Sequence, residues 1–178
     1  IFEKGIKLVE EKKFKESIDQ FIKINDEFPY SKYSSHSQIY NAYLNFELNK
    51  PDKTILILND YISMNPNGIF AEYAEYLIAM CYYVKISDPN RDSRFTKIAI
   101  EKFNKIIKIN PNSKYAKDAK FKLEYLNNYL ARKEFEVGMY YLKNNAPSPA
   151  INRFSVVIRD YQGSSIIPQT LYRMYEAF

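Results

Sequence analysis

A four-point frame recurs along this chain and constrains its fold more than any other feature. It opens on a small residue, places a second small residue 12 positions later and a large apolar one four beyond that, and closes on Pro after eight more. Gly5, Ser17, Phe21 and Pro29 write it once, and Ala42, Thr54, Leu58 and Pro66 write it again. Ala99, Phe103 and Pro111 give it in part, and Gly138, Ala150 and Phe154 repeat it with Gln162 where Pro would stand. Self-similarity at such a period means helical hairpins stacked into a solenoid, an architecture that presents an extended surface to a partner.

The local patterns agree. Phe14, Ile18, Phe21 and Ile22 draw one apolar stripe, while Lys12, Lys15, Glu16, Asp19 and Lys23 occupy the rest of that helix. Phe28-Pro29 stops it, because Pro disfavours the helical conformation in the residue before it, and Ser31 or Ser34 is expected to cap the next helix. The same punctuation returns as Asn65-Pro66-Asn67-Gly68 and Asn110-Pro111-Asn112-Ser113. No sustained period-two alternation suggests a strand. The expected fold is therefore an all-α, tetratricopeptide-like (TPR-like) hairpin solenoid of about five repeats, with residues 1–178 as one domain.

The repeats are unequal, and the surplus can be placed. The stops are 37, 45 and 51 residues apart. Ala79 to Ala99 is 20 positions where 12 is usual, so eight extra residues fall in the polar turn around Ser87-Asp88-Pro89-Asn90-Arg91-Asp92-Ser93. Pro111 to Gly138 is 27 positions rather than 13, yet only Gly138 interrupts helix formers between Ser113 and Asn144. Leu123, Leu126, Leu130, Val137 and Tyr141 keep helical phase, so the spacing predicts one elongated helix over about 113–143, ending at Asn144-Asn145. Ser148 with Pro149 is expected to start the following helix, and a last helix is expected to begin near Ser164 or Ser165.

Composition narrows the function. A 46% hydrophobic and 16% aromatic chain can fill a core, which argues against disorder. No run approaches the roughly 18 apolar residues of a membrane helix, and no secretory leader opens the sequence. Ile1, Phe2, Ile6 and Val9 start in helical phase and Tyr172, Tyr175 and Phe178 end the chain, so both termini read as cuts through a longer protein. Cys81, between Met80 and Tyr82-Tyr83, reads as a buried small hydrophobe. The net charge of +5 comes from lysines such as Lys97, Lys102, Lys105, Lys108, Lys114, Lys117, Lys120 and Lys122 at solvent-face spacing, a solvated surface rather than a nucleic-acid stripe. One His and one Cys, 45 positions apart, form no nucleophile, metal or cofactor constellation. Glu10-Glu11 and the Glu134, Glu136 pair sit among lysines and read as ion-paired surface. The expectation is a binding scaffold without cofactor or metal, and not an enzyme.

Two stripes are the candidate binding features. His36, Ile39, Tyr43 and Phe46 lie in one first helix, and Tyr73, Tyr76, Met80 and Tyr83 in the next, both spaced three, four and three. Such positions suit an aromatic groove for an extended peptide or a partner helix, and equally suit packing between neighbouring helices.

The unequal repeats, the Arg91-Asp92 loop, and the stretch from Asn110 to Ala119 leading into Leu126, Leu130, Ala131 and Glu134 resemble the BamD (ComL/YfiO) family of outer-membrane assembly lipoproteins of Gram-negative bacteria. The likeness continues through Val137, Tyr140-Tyr141, Ala150, Arg153, Arg159-Asp160-Tyr161, Leu171 and Tyr175. The resemblance implies a scaffold of the β-barrel assembly (BAM) complex, lipid-anchored at the periplasmic face of the outer membrane through a cysteine outside these residues. It implies that residues 111–178 dock on the periplasmic POTRA region of BamA, with Arg153, Arg159, Asp160, Tyr161 and Arg173 at the contact. Residues 1–110 would meet unfolded outer-membrane clients and accessory lipoproteins, with Tyr33, Tyr43, Tyr73 and Tyr76 foremost. Gln162 departs from the frame and leaves the shape of the last turn open. The readings outside the resemblance are a cytoplasmic TPR adaptor joining two proteins and a helical-repeat RNA binder whose affinity would fall steeply with salt.

Overall fold

The computed structural model describes residues 1–86 and 93–178. The extended turn expected around residues 87–93, with its Arg91-Asp92 pair, lies outside the described residues except for the helix opening at Ser93. Among the described residues there are nine helices and no strand: α1 Phe2–Glu10, α2 Phe14–Glu27, α3 Ser34–Glu47, α4 Pro51–Met64, α5 Ala71–Val84, α6 Ser93–Ile109, α7 Lys114–Lys143, α8 Pro147–Asp160 and α9 Ile167–Ala177. Each packs on the next. Besides these neighbours, α3 meets α5, α5 meets α7 and α7 meets α9. The first helices of the hairpins therefore form the tighter inner layer of the solenoid and the second helices its outer layer. This is the all-α, TPR-like solenoid that the sequence predicts, with α9 as the first helix of a fifth repeat.

The frame now has a physical meaning. Gly5, Ala42, Ala79 and Gly138 are buried on the first helices, and Phe21, Leu58, Phe103 and Phe154 are buried without exposure on the second. A Cβ on Gly5 would stand 2.8 Å from the Phe21 ring, and one on Gly138 would stand 2.5 Å from Phe154. The small residue is the hole that admits the ring. The middle position closes the pair: Ser17 Oγ donates to the Gly5 carbonyl at 2.9 Å, and Thr54 Oγ1 to the Ala42 carbonyl at 3.1 Å.

Seven residues after the small position, the chain turns. Lys12, Asn49 and Asn145 are the described non-glycine residues with positive φ, at 58°, 56° and 55°. Each makes the same C-terminal bonds, as in Lys12 N to Val9 O and Lys13 N to Leu8 O, a Schellman turn that satisfies the last carbonyls of the first helix. In the third hairpin the corresponding position is Ile86, next to the extension.

The stops between hairpins are equally regular. Phe28, Asn65, Asn110 and Tyr161 each donate back four residues, and each accepts from the amide three residues on, at Ser31, Gly68, Ser113 and Ser164. Gln162 therefore sits in the same turn as Pro29, Pro66 and Pro111. The second position of such a turn favours Pro without requiring it.

α7 runs over the range expected for the elongated helix, and Ser113 caps it by accepting from the Ala116 amide at 3.0 Å. Two expected caps are corrected. Ser34 does not cap α3, since its hydroxyl donates to Asn25 Oδ1 at 3.1 Å, and Ser31 does not either. α8 starts at Pro147, so Ser148 lies inside it, because Pro147 already provides the preset first helical φ. α9 starts at Ile167, close to the expected Ser164 and Ser165, whose hydroxyls bond Asn128.

Candidate functional site: an aromatic groove and a C-terminal cleft

Across the inner layer runs an open groove of about 370 Å³, lined by His36, Ile39, Tyr40 and Tyr43 of α3, Phe70, Tyr73 of α5 and Tyr115 of α7. Helical spacing sets the α3 wall, and Tyr115 enters because the first turn of α7 lies against α5. The rings hold one another. His36 meets Phe70 edge-on at 4.8 Å, and Tyr115 lies 5.7 Å from Tyr73 and 5.1 Å from Tyr76. Tyr76 donates its hydroxyl to Asp118 Oδ2 at 2.7 Å.

Burial raises the Tyr73 phenol to about 12, and raises Tyr76 further, where the hydrogen bond to Asp118 adds to burial. Tyr43 is raised for the same first reason. All three rings stay neutral at physiological pH and offer apolar faces with a polar rim. Lys114 Nζ lies 5.0 Å from the Tyr115 ring centroid, and farther along Lys122 Nζ lies 5.3 Å from that of Tyr83.

Of the two predicted stripes, the groove gathers His36, Ile39, Tyr43 and Tyr73, with Tyr76 behind Tyr115. Phe46 and Met80 instead pack half-buried against the core between α3, α4 and α5, the packing role the same spacing allows. Tyr83 lies farther along, edge-on to Phe103 and Tyr125. Tyr33 is outside the groove, stacked on Phe2 at 4.8 Å beside a separate cleft with Ile24 and Phe28. Tyr40, Phe70 and Tyr115 were missed: Tyr40, four residues after His36 and three before Tyr43, shares their face but was passed over for Ile39, Phe70 is in a turn, and Tyr115 is 42 residues from Tyr73.

At the C-terminal end the predicted residues are distributed differently. Asp160 and Tyr161 line a cleft of about 340 Å³ between the middle of α7 and the α8–α9 turn, with Lys120, Glu124, Asn127 and Asn128 opposite. Arg153 bonds Glu134 at 2.9 Å, Arg159 forks onto Asp160 at 2.7 and 2.9 Å, and Arg173 bonds Glu176 at 2.7 Å. The hydrogen bond from Arg159 holds the Asp160 carboxyl below the usual range. Each of these arginines thus has an acidic partner within the chain. Tyr161 is half-buried against the α8–α9 core, and burial, with Glu134 nearby, raises its phenol.

Among the described residues, no group of three or more His, Cys, Asp or Glu side chains is placed to hold a metal ion. None of the described helices is long and apolar enough to cross a membrane.

Comparison with known proteins gives the family. The model of the YfiO family, described as outer membrane lipoprotein, matches residues 1–178. A Rickettsia prowazekii protein called outer membrane protein assembly factor BamD is 36% identical over the whole chain, which spans 71% of that protein. A protein of the same name from Caulobacter vibrioides is 34% identical over the whole chain, which spans 58% of it. Among solved structures, a thermophilic TPR protein of Thermus thermophilus superposes with a TM-score of 0.54 at 11% identity, covering 99% of this chain and 96% of that one, a likeness of fold alone. With the family model matched along its full length and relatives 34–36% identical over the whole chain, the chain belongs to the YfiO family of outer membrane lipoproteins, together with the proteins called BamD.

Proposed function

We propose that this chain is a non-enzymatic scaffold subunit of the machinery that assembles β-barrel proteins into the outer membrane, working at the periplasmic face of that membrane. The names of its relatives support the assembly role. The observation that carries the binding mode is the open groove of six rings and Ile39 across α3, α5 and α7. An unfolded barrel protein offers apolar side chains on an extended backbone, and ring faces take such side chains without demanding one sequence.

The C-terminal repeats would dock on the POTRA region of BamA through Arg153, Arg159, Asp160, Tyr161 and Arg173. The internal ion pairs do not oppose this, since exposed pairs are worth only about 0–1 kcal/mol and exchange readily for a partner's carboxylate. Accessory lipoproteins and a lipid anchor upstream of Ile1 complete the reading.

Calorimetric titration against a client peptide and against the POTRA region tests it. Tyr43→Ser and Tyr115→Ser should each weaken client binding about tenfold, the usual loss for an anchoring ring. Arg153→Glu should weaken POTRA binding alone, with helicity unchanged in all three. Unaltered affinity for both ligands would reject the assignment.

A further inference from the structure

Among the described residues the core falls into four clusters, with α3, α5 and α7 each contributing to two of them. One cluster gathers Ala79 of α5, Ala99, Phe103 and Ile106 of α6, and Leu123 and Leu126 of α7. Another gathers Ala131 and Phe135 of α7, Ala150, Phe154 and Val157 of α8, and Ile166. α7 supplies both, but none of the four residues between Leu126 and Ala131 is buried. The C-terminal unit is therefore carried on the far half of one helix, and beside the unburied stretch lies the cleft between α7 and the α8–α9 turn.

One side chain spans that boundary. Asn128 Oδ1, in the middle of the unburied stretch, accepts from Ser164 Oγ at 2.8 Å, from the Ser165 amide at 3.0 Å and from Ser165 Oγ at 3.4 Å. Ser164 is only 8% exposed, so its hydroxyl is committed to this bond rather than to water. In the three other stops the corresponding amide-bearing residues, Ser31, Gly68 and Ser113, have no such tie to a neighbouring first helix; Ser113 instead caps its own.

We infer that Asn128 is a latch: its single carbonyl oxygen fixes the opening of the cleft, and so the angle at which α8 and α9 stand to the rest of the solenoid. The two halves of α7 pack on different clusters, and where they meet a polar clasp joins α7 to the α8–α9 turn. The geometry asks for an acceptor at residue 128, not for an amide as such. The inference holds whatever partner binds, so its test is separate from that of the proposed function.

The test uses the whole chain. Hydrogen exchange is followed at the Ser165 amide, and the spread of distances is measured between spin labels at Lys117 and Gln169 in a Cys81→Ala background. Asn128→Ala should speed exchange at Ser165 about tenfold, as expected when a partly buried amide loses its acceptor, and should broaden the distance distribution. Asn128→Asp keeps the acceptor and should preserve both. Ser164→Ala removes the shortest bond from the turn side, leaves α7 untouched, and should broaden the distribution even if Asn128→Ala unfolds. Unchanged distances in Ser164→Ala, or an Asp variant as loose as the Ala variant, would overturn the latch.

Discussion

At the scale of single residues, the same pairing of small hole and large knob is solved in three ways within one chain. Gly5 and Gly138 take phenylalanine rings, Ala42 takes Leu58, and Ala79 shares a cluster with Phe103. Gly138→Ala should therefore destabilise the protein although alanine is the better helix former. Overpacking against the fully buried Phe154 ring costs about 1–3 kcal/mol and the gain in helix propensity returns about 1. A net loss of about 1–2 kcal/mol should lower the melting temperature by about 2–8 °C. Adding Phe154→Leu recreates the Ala42/Leu58 pair and should recover part of that loss; a double variant less stable than Gly138→Ala would reject the knob-and-hole account. Buried acids give a second consequence at this scale. Burial raises the Cys81 thiol from 9.0 to about 12 and the Tyr73 phenol from 10.0 to about 12. Above pH 9 the unfolded chain releases these protons while the folded chain holds them, so stability is full below pH 9 and falls as pH climbs towards 12. Urea midpoints between pH 8 and 10 should drop, and Cys81→Ala should remove most of that drop.

At the scale of elements, what could be read in the sequence was whatever repeats. The hole, the knob and the stop recur at fixed offsets because the same two-helix contact is rebuilt in each hairpin, and the fused α7 showed itself as a stop-to-hole distance 14 residues too long. Caps were less legible, since a serine beside a helix start has other acceptors in reach: Ser34 chose Asn25, and Ser164 chose Asn128. The groove was half legible. Spacing along α3 and α5 gave His36, Ile39, Tyr43 and Tyr73, but only the stacking of α7 on α5 adds Tyr115, and only the turn geometry adds Phe70. Of the hairpin turns, the one at Asn144-Asn145 was foreseen, and those at Lys12 and Asn49 were not, because no glycine marks them. Lys12 occupies a left-handed position at φ 58° that costs an ordinary side chain about 1–2 kcal/mol. Asparagine tolerates the same conformation better. Lys12→Gly should thus stabilise by up to about 1 kcal/mol after the flexibility of glycine in the unfolded chain is counted, while Asn49→Gly should change stability by less than half as much. Equal effects in denaturant titrations would show that the left-handed strain is not what separates them.

At the scale of the molecule, a solenoid is held by neighbour-to-neighbour contacts, so its stability is a sum of local terms and damage need not spread. The division of the core at residues 127–130 marks where spreading should stop. Phe154 is fully buried in the C-terminal cluster, and Phe154→Ala should remove about 3–5 kcal/mol from it, enough to melt a unit of two and a half helices. The first half of α7 rests on a different cluster, against α5 and α6, and keeps its own buried residues Ala116, Ala119 and Leu126. Amide exchange in this variant should therefore accelerate together across α8, α9 and the part of α7 beyond Ala131, while α2 to α6 and the start of α7 retain their protection. The matching change at the other end, Phe21→Ala, should release α1 and α2 and leave the C-terminal unit protected, since the other buried members of its cluster, Ile18, Ile24 and Leu44, all lie in α2 and α3. If either variant instead unfolded the whole chain in one step, the boundary at the middle of α7 would be a feature of packing without thermodynamic weight. Separate release would identify the C-terminal unit as an independently adjustable body on a rigid N-terminal groove, the arrangement a scaffold needs to hold one partner while another is repositioned.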